Sequence, residues 1–437
     1  MPVLRIVAGS YERLLFGYAV DAESGDTEQL FGFGAHVGCI KSVAISARGG
    51  GTLITGGQDE LIKVYSLRTL RSLGELFMHQ ATVCALASFG TTHVMSGDEQ
   101  GKLVVWRTKD WEPLTTLKGH KYFTLFSLSE QELTLRYFFT RAAILGIAFH
   151  PSGKLALTVS ADRQLFCWNL LRGLKATRTR LHDTPVSIHF SPSGSQYTIL
   201  FAHSVVVYDT VSTKAVAQYD SPQVRLNAVS FVHETQLVLG CEDGAVLLLE
   251  MSAPVEEGDA SSETELEEEE TEEVLRSLRA IATFVQPGEA AGARVKAVSA
   301  VPFVPSNDTA DEPEHFVAAA CSTGAIAVWR VPAATETANI AATAPPLRVQ
   351  PIARVDAKCR LTCLALDVID AELVDEEEAA LAAPSDEDDA SEEEEEVEEE
   401  VVAPIPARAA PKNRKKRSAG DAGSSNNGPS RKKARKQ

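Results

Sequence analysis

The fold is decided by a stretch that begins Leu117-Lys-Gly-His120 and ends Ile144-Leu-Gly-Ile-Ala-Phe-His-Pro-Ser-Gly-Lys-Leu-Ala-Leu-Thr-Val-Ser-Ala-Asp-Arg-Gln-Leu-Phe-Cys-Trp-Asn169. After the Gly-His pair, short apolar runs alternate with a Pro-Ser-Gly turn and an Asp-bearing turn, and the last run ends at Trp168. Short apolar runs bounded by turn residues are typical of β-strands. The stretch therefore predicts one compact antiparallel unit.

The same unit recurs along the chain. Aromatic residues close the third strand of successive units, at Tyr65, Trp106, Trp168 and Tyr208. They are spaced by about 40 residues once the segment 122–143 is left out, and this period is that of a WD-type β-propeller blade. Six units lie near 36–77, 79–117, 119–178, 181–219, 224–253 and 294–331.

The two ends of the sequence supply a seventh unit. Residues 3–34 contain a second and a third strand with no first strand before them, and residues 358–368 contain an isolated strand. Pairing the two removes the unpaired sheet edges that an open array would leave. The sequence thus predicts an all-β, seven-bladed WD40 β-propeller over 1–369, whose closing blade is shared by 3–34 and 358–368.

Several segments fall outside the repeat. Insertions are predicted at 122–143, 254–274 and 332–350, and a tail at 370–437. The acidic run 254–274 cannot bury apolar surface and is expected to be disordered, with a short helix after it around 272–281 as one option. The tail is expected to be a disordered acidic and then basic segment. These charged segments account for the net charge of −18.

A set of polar residues recurs within the blades. It comprises a His at the blade start, a Ser or Thr on the second strand, an Asp in the next turn and the aromatic of the third strand. By spacing these are His120, Thr158, Asp162 and Trp168 in one unit, His36, Thr55, Asp59 and Tyr65 in another, and His79, Ser96 and Trp106 in a third, where Gln100 stands in place of the Asp. Later units are incomplete, with Thr198 and Tyr208 in one and Asp243 in the next. Buried polar groups need partners, so we interpret the set as a structural hydrogen-bonded network.

No catalytic or ligand-binding motif stands out. The sequence lacks a nucleophile elbow, a phosphate-binding Gly loop and a metal-binding motif. Cys359 and Cys363 have no matching second pair for zinc, and the seven cysteines are expected to be mostly small buried residues in a reducing compartment. We therefore expect no enzyme, no cofactor, no metal and no small-molecule substrate. No apolar run is long enough for a membrane span, and no secretion signal is recognisable.

Two basic clusters lie near the end of the chain. They comprise Lys412, Arg414, Lys415, Lys416 and Arg417, and then Arg431, Lys432, Lys433, Arg435 and Lys436. One interpretation is a nuclear localisation signal read by an import receptor. Another is sequence-independent contact with RNA phosphates, and the plain alternative is a solubilising tail. The acidic runs are spacers, docking surfaces for basic proteins, or a mask over the basic tail.

Longer motifs carry a family resemblance. The segments are Thr55-Gly-Gly-Gln-Asp-Glu-Leu-Ile-Lys-Val-Tyr65, Trp106-Arg-Thr-Lys-Asp-Trp-Glu-Pro-Leu114, Leu117-Lys-Gly-His-Lys121 and His150-Pro-Ser-Gly-Lys-Leu-Ala-Leu157. They resemble the p21-activated-kinase-interacting-protein family, whose fungal members are maintenance-of-killer WD proteins. The resemblance covers residues 3–250 well and 290–370 weakly. It implies a seven-bladed nucleolar scaffold for maturation of the large ribosomal subunit, and animal members are also implied to bind and restrain a p21-activated protein kinase.

One segment departs from the family pattern. Family members pass directly from Gly-His-Lys into the next strand, whereas here the aromatic-rich residues 122–143 intervene. They are either a partner-binding loop or a translated intron.

Three functional hypotheses follow. The first is a non-enzymatic nuclear and nucleolar scaffold that contacts pre-ribosomal proteins. The second is a negative regulator that binds a p21-activated protein kinase. The third is a chromatin or ubiquitin-ligase adaptor, for which no specific motif is present.

Overall fold

The computed structural model describes residues 2–46, 51–126, 136–252, 276–284, 292–303, 314–332 and 346–370. Within these residues the regular secondary structure consists of β-strands alone. No helix in the described part is long and apolar enough to cross a membrane.

Seven four-stranded antiparallel blades form the body of the protein, and a short parallel pairing of residues 217–218 with 276–277 joins two neighbouring blades into one larger sheet. Blade 1 contains β31 (Leu361–Asp370), β1 (Pro2–Ser10), β2 (Leu14–Asp21) and β3 (Thr27–Gly34). Blade 2 contains β4 (Ile40–Ser46), β5 (Thr52–Gly57), β6 (Ile62–Ser66) and β7 (Arg71–Leu76). Blade 3 contains β8 (Val83–Phe89), β9 (His93–Asp98), β10 (Lys102–Arg107) and β11 (Pro113–Lys118). Blade 4 contains β14 (Ile144–Phe149), β15 (Leu155–Ser160), β16 (Gln164–Asn169) and β17 (Leu174–Arg180).

The remaining blades follow the same order. Blade 5 contains β18 (Pro185–Phe190), β19 (Gln196–Phe201), β20 (Ser204–Asp209) and β21 (Ala215–Asp220). Blade 6 contains β22 (Leu226–Phe231), β23 (Gln236–Cys241), β24 (Val246–Met251) and β25 (Arg276–Phe284). Blade 7 contains β26 (Val295–Phe303), β27 (Glu314–Cys321), β28 (Ala325–Arg330) and β30 (Ala353–Asp356). Three further strands are β12 (Lys121–Phe126), β13 (Arg136–Arg141) and β29 (Leu347–Val349).

The first strands of the blades contact one another in a closed circle. The order is β31, β4, β8, β14, β18, β22, β26 and back to β31. Each blade thus packs on two neighbours, and the apolar clusters lie between facing sheets. One cluster joins Leu103 and Val105 of blade 3 to Ile144 and Phe166 of blade 4. The prediction of an all-β WD propeller is confirmed.

The two ends of the chain meet in blade 1. Strands β1 and β31 pair in antiparallel register, with Arg5 opposite Asp367. The Thr362 hydroxyl lies 3.0 Å from the Gly9 carbonyl oxygen in blade 1 and 2.6 Å from that of Ile40 in blade 2. The closing strand is therefore tied both to its own sheet and to the next blade.

Burial explains which residues form each strand. Second strands are buried on both faces, as in β5 and β23, so their sequences are continuous apolar or small runs. Outer strands face solvent, and every residue of β17 is exposed. The strands that contribute most of the core therefore show little of the alternation between apolar and polar residues that is expected of a half-buried strand.

Two connections differ from the expectations. Residues 276–284, which overlap the optional helix 272–281, form strand β25, because this apolar run supplies the outer strand that blade 6 lacks. Residues 347–349, inside the expected 332–350 loop, form strand β29, which pairs in parallel with β25. The acidic run 254–274 and the tail beyond 370 lie outside the described residues.

Antiparallel order sorts the turns into two faces. Connections between blades and turns between second and third strands lie at one edge, here called the connection face. Turns between first and second and between third and fourth strands lie at the other, here called the turn face. Strands β12 and β13 form a two-stranded hairpin inserted in the connection between blades 3 and 4, with Lys121 opposite Arg141. The departing segment 122–143 therefore includes a hairpin at the connection face.

Candidate functional site

Blade 3 holds a complete polar network at the connection face. His79 lies between β7 and β8, and its Nδ1 is 2.9 Å from Asp98 Oδ2 on β9. His79 Nε2 is 2.7 Å from the Ser96 hydroxyl, which accepts the Trp106 indole N–H at 2.8 Å. All four side chains are buried. The network joins the blade start to the second and third strands.

The partners fix the direction of each hydrogen bond. A carboxylate only accepts, so His79 Nδ1 carries the proton and donates to Asp98. In a neutral imidazole with this tautomer, Nε2 accepts the Ser96 hydroxyl proton. Asp98 also accepts the backbone N–H groups of Gln100 and Lys102, both at 2.9 Å. The buried carboxylate is thus fully satisfied.

Asp98 is a residue that the sequence reasoning missed. The spacing of the other units pointed to Gln100, but the carboxylate comes from two residues earlier, at the end of β9. Gln100 lies in the following turn, where its side-chain amide is 3.5 Å from the Gln80 carbonyl oxygen. A search for any Asp within the turn, rather than at a fixed spacing, would have found Asp98.

Blade 4 has the same network with a longer bond. His120 Nδ1 lies 3.4 Å from both Asp162 carboxylate oxygens, and its Nε2 lies 3.0 Å from Thr158 Oγ1. The Trp168 indole N–H donates to Thr158 at 2.8 Å. The Ser160 hydroxyl donates to Asp162 as well. The structure thus brings together all four residues that the spacing indicated.

Blade 2 keeps three members of the network. His36 Nδ1 is 2.9 Å from Asp59, and its Nε2 is 2.7 Å from the Thr55 hydroxyl. Tyr65 does not take the place of the indole. Its hydroxyl donates to the Ala35 carbonyl oxygen at 3.5 Å instead, because a phenol extends further than the indole N–H.

Burial and hydrogen bonding act against each other at these groups. Burial raises the pKa of Asp59, but hydrogen bonds from the Val37 N–H and from His36 outweigh it, so the pKa lies below its usual value. The pKa of Asp162 is lowered in the same way, with burial opposed by bonds from His120 and Ser160. Burial lowers the pKa of His36, and its bond to Asp59 only partly offsets this effect. The blade 2 pair is therefore a neutral His beside a carboxylate.

Blades 5 to 7 lack this network in their described residues. Thr198 donates to the Val206 carbonyl oxygen at 3.3 Å, and Tyr208 stacks on Tyr197. Asp243 is exposed and accepts the backbone N–H of Ala245. Trp329 of blade 7 is buried, and no described residue accepts its indole N–H.

A second repeated contact links neighbouring blades. Glycines near the ends of second strands face a β-branched residue at the start of the next blade's first strand. A Cβ atom on Gly97 would lie 2.7 Å from Ile144 Cγ2, and one on Gly240 would lie 2.5 Å from Val295 Cγ1. Gly9 and Gly56 face Ile40 and Val83 at 2.7 Å. Each glycine is the penultimate residue of its second strand, and this position is the signal in the sequence that could have revealed the contact.

The motif after Trp106 forms a rigid turn at the turn face. The Arg107 guanidinium contacts the carboxylates of Asp110 and Glu112, and its backbone N–H donates to the Glu112 carbonyl oxygen. Trp111 adopts a left-handed backbone conformation, with φ 57°. The turn borders a cleft of about 420 Å³ between blades 2 and 3, whose lining includes Ser46, Thr52, His93, Arg107, Thr108 and Lys109. Hydroxyls of the cleft already bond to the protein, since Ser46 donates to the Gly90 carbonyl oxygen.

Comparisons with known proteins agree with this geometry. The family described as "WD domain, G-beta repeat" matches residues 133–169, which include β13 and most of blade 4. A p21-activated protein kinase-interacting protein 1-like of Xenopus laevis is 29% identical over 252 residues, which are 57% of this chain and 63% of that protein. Its Gallus gallus counterpart is 30% identical over 241 residues, 55% of this chain and 59% of that protein.

A fungal relative matches as well. Protein MAK11 of Saccharomyces cerevisiae is 25% identical over 276 residues, 55% of this chain and 61% of that protein. The chain is thus similar to p21-activated-kinase-interacting-protein-like WD-repeat proteins of animals and fungi. The matched region spans about three-fifths of the length of these relatives.

A solved structure shows the same fold. The structure titled "Structure of U3-55K" superposes with a TM-score of 0.51 at 13% sequence identity, and it covers 74% of this chain and 84% of that one. At this identity the likeness concerns the fold alone.

The blade 3 network resembles a hydrolytic triad, but a substrate could not reach it. Ser96, His79 and Asp98 stand in the order of a Ser-His-Asp triad. Ser96 is fully buried, however, and its hydroxyl already serves His79 and the Trp106 indole. The arrangement holds strands together and leaves no nucleophile facing solvent.

The remaining predictions concern metal binding, the cysteines and the basic clusters. Among the described residues, no group of three or more His, Cys, Asp or Glu side chains could hold a metal ion. Cys39, Cys241, Cys321 and Cys363 are buried and free. The basic clusters at 412–417 and 431–436 lie outside the described residues.

Proposed function

We propose that the protein is a non-enzymatic nucleolar scaffold that assembles large ribosomal subunit precursors through protein contacts of its propeller. The observation that carries the proposal is the closed ring, in which the buried His, Ser and Asp residues serve the fold and leave broad exposed faces. A propeller of this kind offers several independent binding surfaces on one rigid body. The ribosomal role is what the family resemblance implies.

The charged segments support this role. The basic clusters at 412–417 and 431–436 match the composition of a nuclear import signal. The same cations would attract RNA phosphates without sequence preference. Partners under this proposal are pre-ribosomal proteins, an import receptor and, through the tail, RNA.

Affinity purification combined with sucrose-gradient sedimentation tests the proposal. We expect the tagged protein to sediment with large-subunit precursors, and its depletion to slow processing of large-subunit ribosomal RNA. Normal processing after depletion, together with absence from the precursor fractions, would refute the scaffold role.

Deletion of 404–437 tests the import role separately. We expect the shortened protein, which lacks both basic clusters, to move to the cytoplasm. Restoring only the first cluster, 412–417, distinguishes a receptor-read signal from general charge. Continued nuclear accumulation after deletion would contradict import through this tail.

A second candidate function is binding of a p21-activated protein kinase. The printed names of the animal relatives support it, since they describe kinase-interacting proteins. A purified p21-activated kinase should then bind the purified chain directly and lose activity on binding. Failure of both measurements would remove this candidate and leave the ribosomal proposal unaffected.

A further inference from the structure

Blade 4 ends in an outer strand of unusual charge. Strand β17 reads Leu174-Lys-Ala-Thr-Arg-Thr-Arg180, and all seven residues are exposed. Arg163 in the turn beside it and Arg172 before it are exposed as well. Among the described residues, none of these cations forms an ion pair with a carboxylate. Within the described part of the chain, the strand thus presents positive charge that no carboxylate neutralises.

The three cations of β17 lie on one side of the sheet. Lys175, Arg178 and Arg180 stand opposite Trp168, Phe166 and Gln164 in the register with β16. Residues directly opposite each other share a face. The Lys175 ammonium lies 4.2 Å from the centroid of the Phe166 ring, and this cation–π contact holds Lys175 on that face.

The other free outer strands are protected in different ways. Strand β7 contains Gly74 and Glu75, β11 begins with Pro113, and β3 contains Glu28 and two glycines. Strand β30 has four residues and ends in Asp356. Glycine, proline, short length and mixed charge all discourage pairing with another strand. Strand β25 also lacks glycine, proline and carboxylate, but β21 and β29 pair with its edge. Among the described outer strands with a free edge, β17 alone combines seven residues with no glycine, proline or carboxylate.

Protection of the edge by charge explains only part of this pattern. Like charge repels other basic strands, and lysine on an edge serves that purpose. Three cations on one face, however, attract an acidic strand as strongly as they repel a basic one. The protein also shows that its outer edges accept an added strand, because β29 pairs with the outer strand of blade 6 over Leu347–Val349.

We propose that the outer edge of β17 binds an acidic, extended segment of a partner protein, which adds to blade 4 as a further strand. Main-chain hydrogen bonds to the free edge would supply affinity, and alternate carboxylates would select the partner. Alternate residues of any strand are spaced by about 6.8 Å, so carboxylates at alternate positions of the added strand would have the same spacing as Arg178 and Arg180. The inference extends the proposed scaffold function by naming the chemistry of one contact.

A peptide assay on the purified full-length chain tests the inference. The probe is a capped, fluorescein-labelled peptide of about eight residues that alternates Glu and Thr. We expect saturable binding by fluorescence anisotropy. We also expect slower backbone hydrogen exchange at 174–180 in the complex, because new ladder bonds would protect these amides.

Matched variants separate local contacts from overall charge. The pair Arg178→Glu and Arg180→Glu should weaken binding by roughly tenfold, since two cross-strand charge pairs change from attractive to repulsive. The pair Lys41→Glu and Arg225→Glu changes the net charge equally at exposed residues of other blades, and it should leave binding within about twofold. An Arg178→Gln and Arg180→Gln variant should lie between them. A peptide that alternates Lys and Thr should bind the Glu variant and not the native chain.

Three outcomes would overturn the inference. One is equal weakening by the control pair of variants. Another is unchanged binding of a probe N-methylated at alternate residues, since that probe keeps its charges but cannot complete the ladder. The third is binding of a short uridine oligonucleotide at β17 with no binding of the acidic peptide, which would assign the strand to nucleic acid. The assay uses purified components, so its result is independent of the sedimentation test of the scaffold role.

Discussion

Blades 2 to 4 and blades 5 to 7 are held together by different means. In blade 3 a buried chain of hydrogen bonds runs from Asp98 through His79 and Ser96 to Trp106. In blade 7 the corresponding Trp329 is equally buried, but none of the described residues accepts its indole N–H. Blade 7 instead shares two large apolar clusters, one with blade 6 and one with blade 1.

The difference shows that a blade needs its apolar faces but not its polar network. Apolar contact is tolerant of exchange between similar side chains, whereas a buried network requires every member. Blades 2 to 4, one half of this comparison, therefore depend on single polar residues as well as on packing, and blades 5 to 7, the other half, depend on the summed packing of many apolar residues. The predictions below test this division.

The largest effect is expected for Asp98→Ala. The substitution removes the carboxylate that pairs with buried His79 and that accepts two backbone N–H groups. Breaking a buried pair of this kind costs about 3–5 kcal/mol. Urea denaturation followed by tryptophan fluorescence should show a large fall in the unfolding midpoint.

Gln100→Ala is the matched control for that variant. Gln100 is exposed and was expected from spacing to occupy the network position. We expect its removal to change stability by about 0.5 kcal/mol or less. An equal loss in both variants would contradict the assignment of Asp98.

A smaller loss is expected where the two halves are alike. Gly97→Ala in blade 3 and Gly240→Ala in blade 6 each place a Cβ within 2.7 Å of a β-branched residue of the next blade. Such overpacking costs about 1–3 kcal/mol, and the stiff β-branched side chains cannot rotate away. Thermal unfolding of both variants should give similar losses. A loss confined to one half would extend the comparison to the contacts between blades.

The two buried tryptophans should differ by about 1 kcal/mol. Trp106→Phe loses ring contacts and the hydrogen bond to Ser96. Among the described residues no group accepts the Trp329 indole N–H, so the cost of Trp329→Phe should be lower by the net value of one hydrogen bond. Parallel urea titrations measure the difference. A larger cost at Trp329 would mean that its indole N–H has a role which the blade 7 packing conceals.

The smallest effect concerns pH. The pKa of His36 is lowered in the folded protein, so as pH falls below about 6.5 the imidazole takes up a proton in the unfolded chain before it does so in the folded one. The folded state therefore loses stability from that pH down to the folded pKa. The lowered pKa of Asp59 removes further stability only at lower pH. The difference in melting temperature between native chain and His36→Gln should therefore shrink between pH 7.5 and pH 5.5. A difference that widens towards acid would contradict a neutral His36.

The repeat period and the third-strand aromatics predicted the propeller because each blade is a local unit with its own turns. The blade 4 network, from His120 to Trp168, followed from the same spacing. The spacing did not predict the networks in which one residue occupies a different position or makes a different contact. Asp98 is displaced by two positions, and Tyr65 turns its hydroxyl to Ala35, since side-chain reach rather than spacing decides these partners.

Other features depend on which blade is the neighbour. The role of Gly97 becomes visible only when Ile144 is placed against it, across the 122–143 segment. Strand β25 was ambiguous because its apolar run lies after a long acidic segment, and its partner β24 precedes that segment. The sequence shows the positive charge of β17, but only the structure shows that the strand lies at a free sheet edge.

The pairing of β1 with β31 has a consequence for biosynthesis. Gly9 and Thr362, which meet in blade 1, are 353 residues apart in the chain. At about 5–20 residues per second, β1 leaves the ribosome tens of seconds before its partner strand is made. During that interval its hydrogen-bonding edge is open to any other nascent strand. The same contact that locks the finished ring therefore leaves one strand edge of the growing chain unpaired until residues 361–370 have been made.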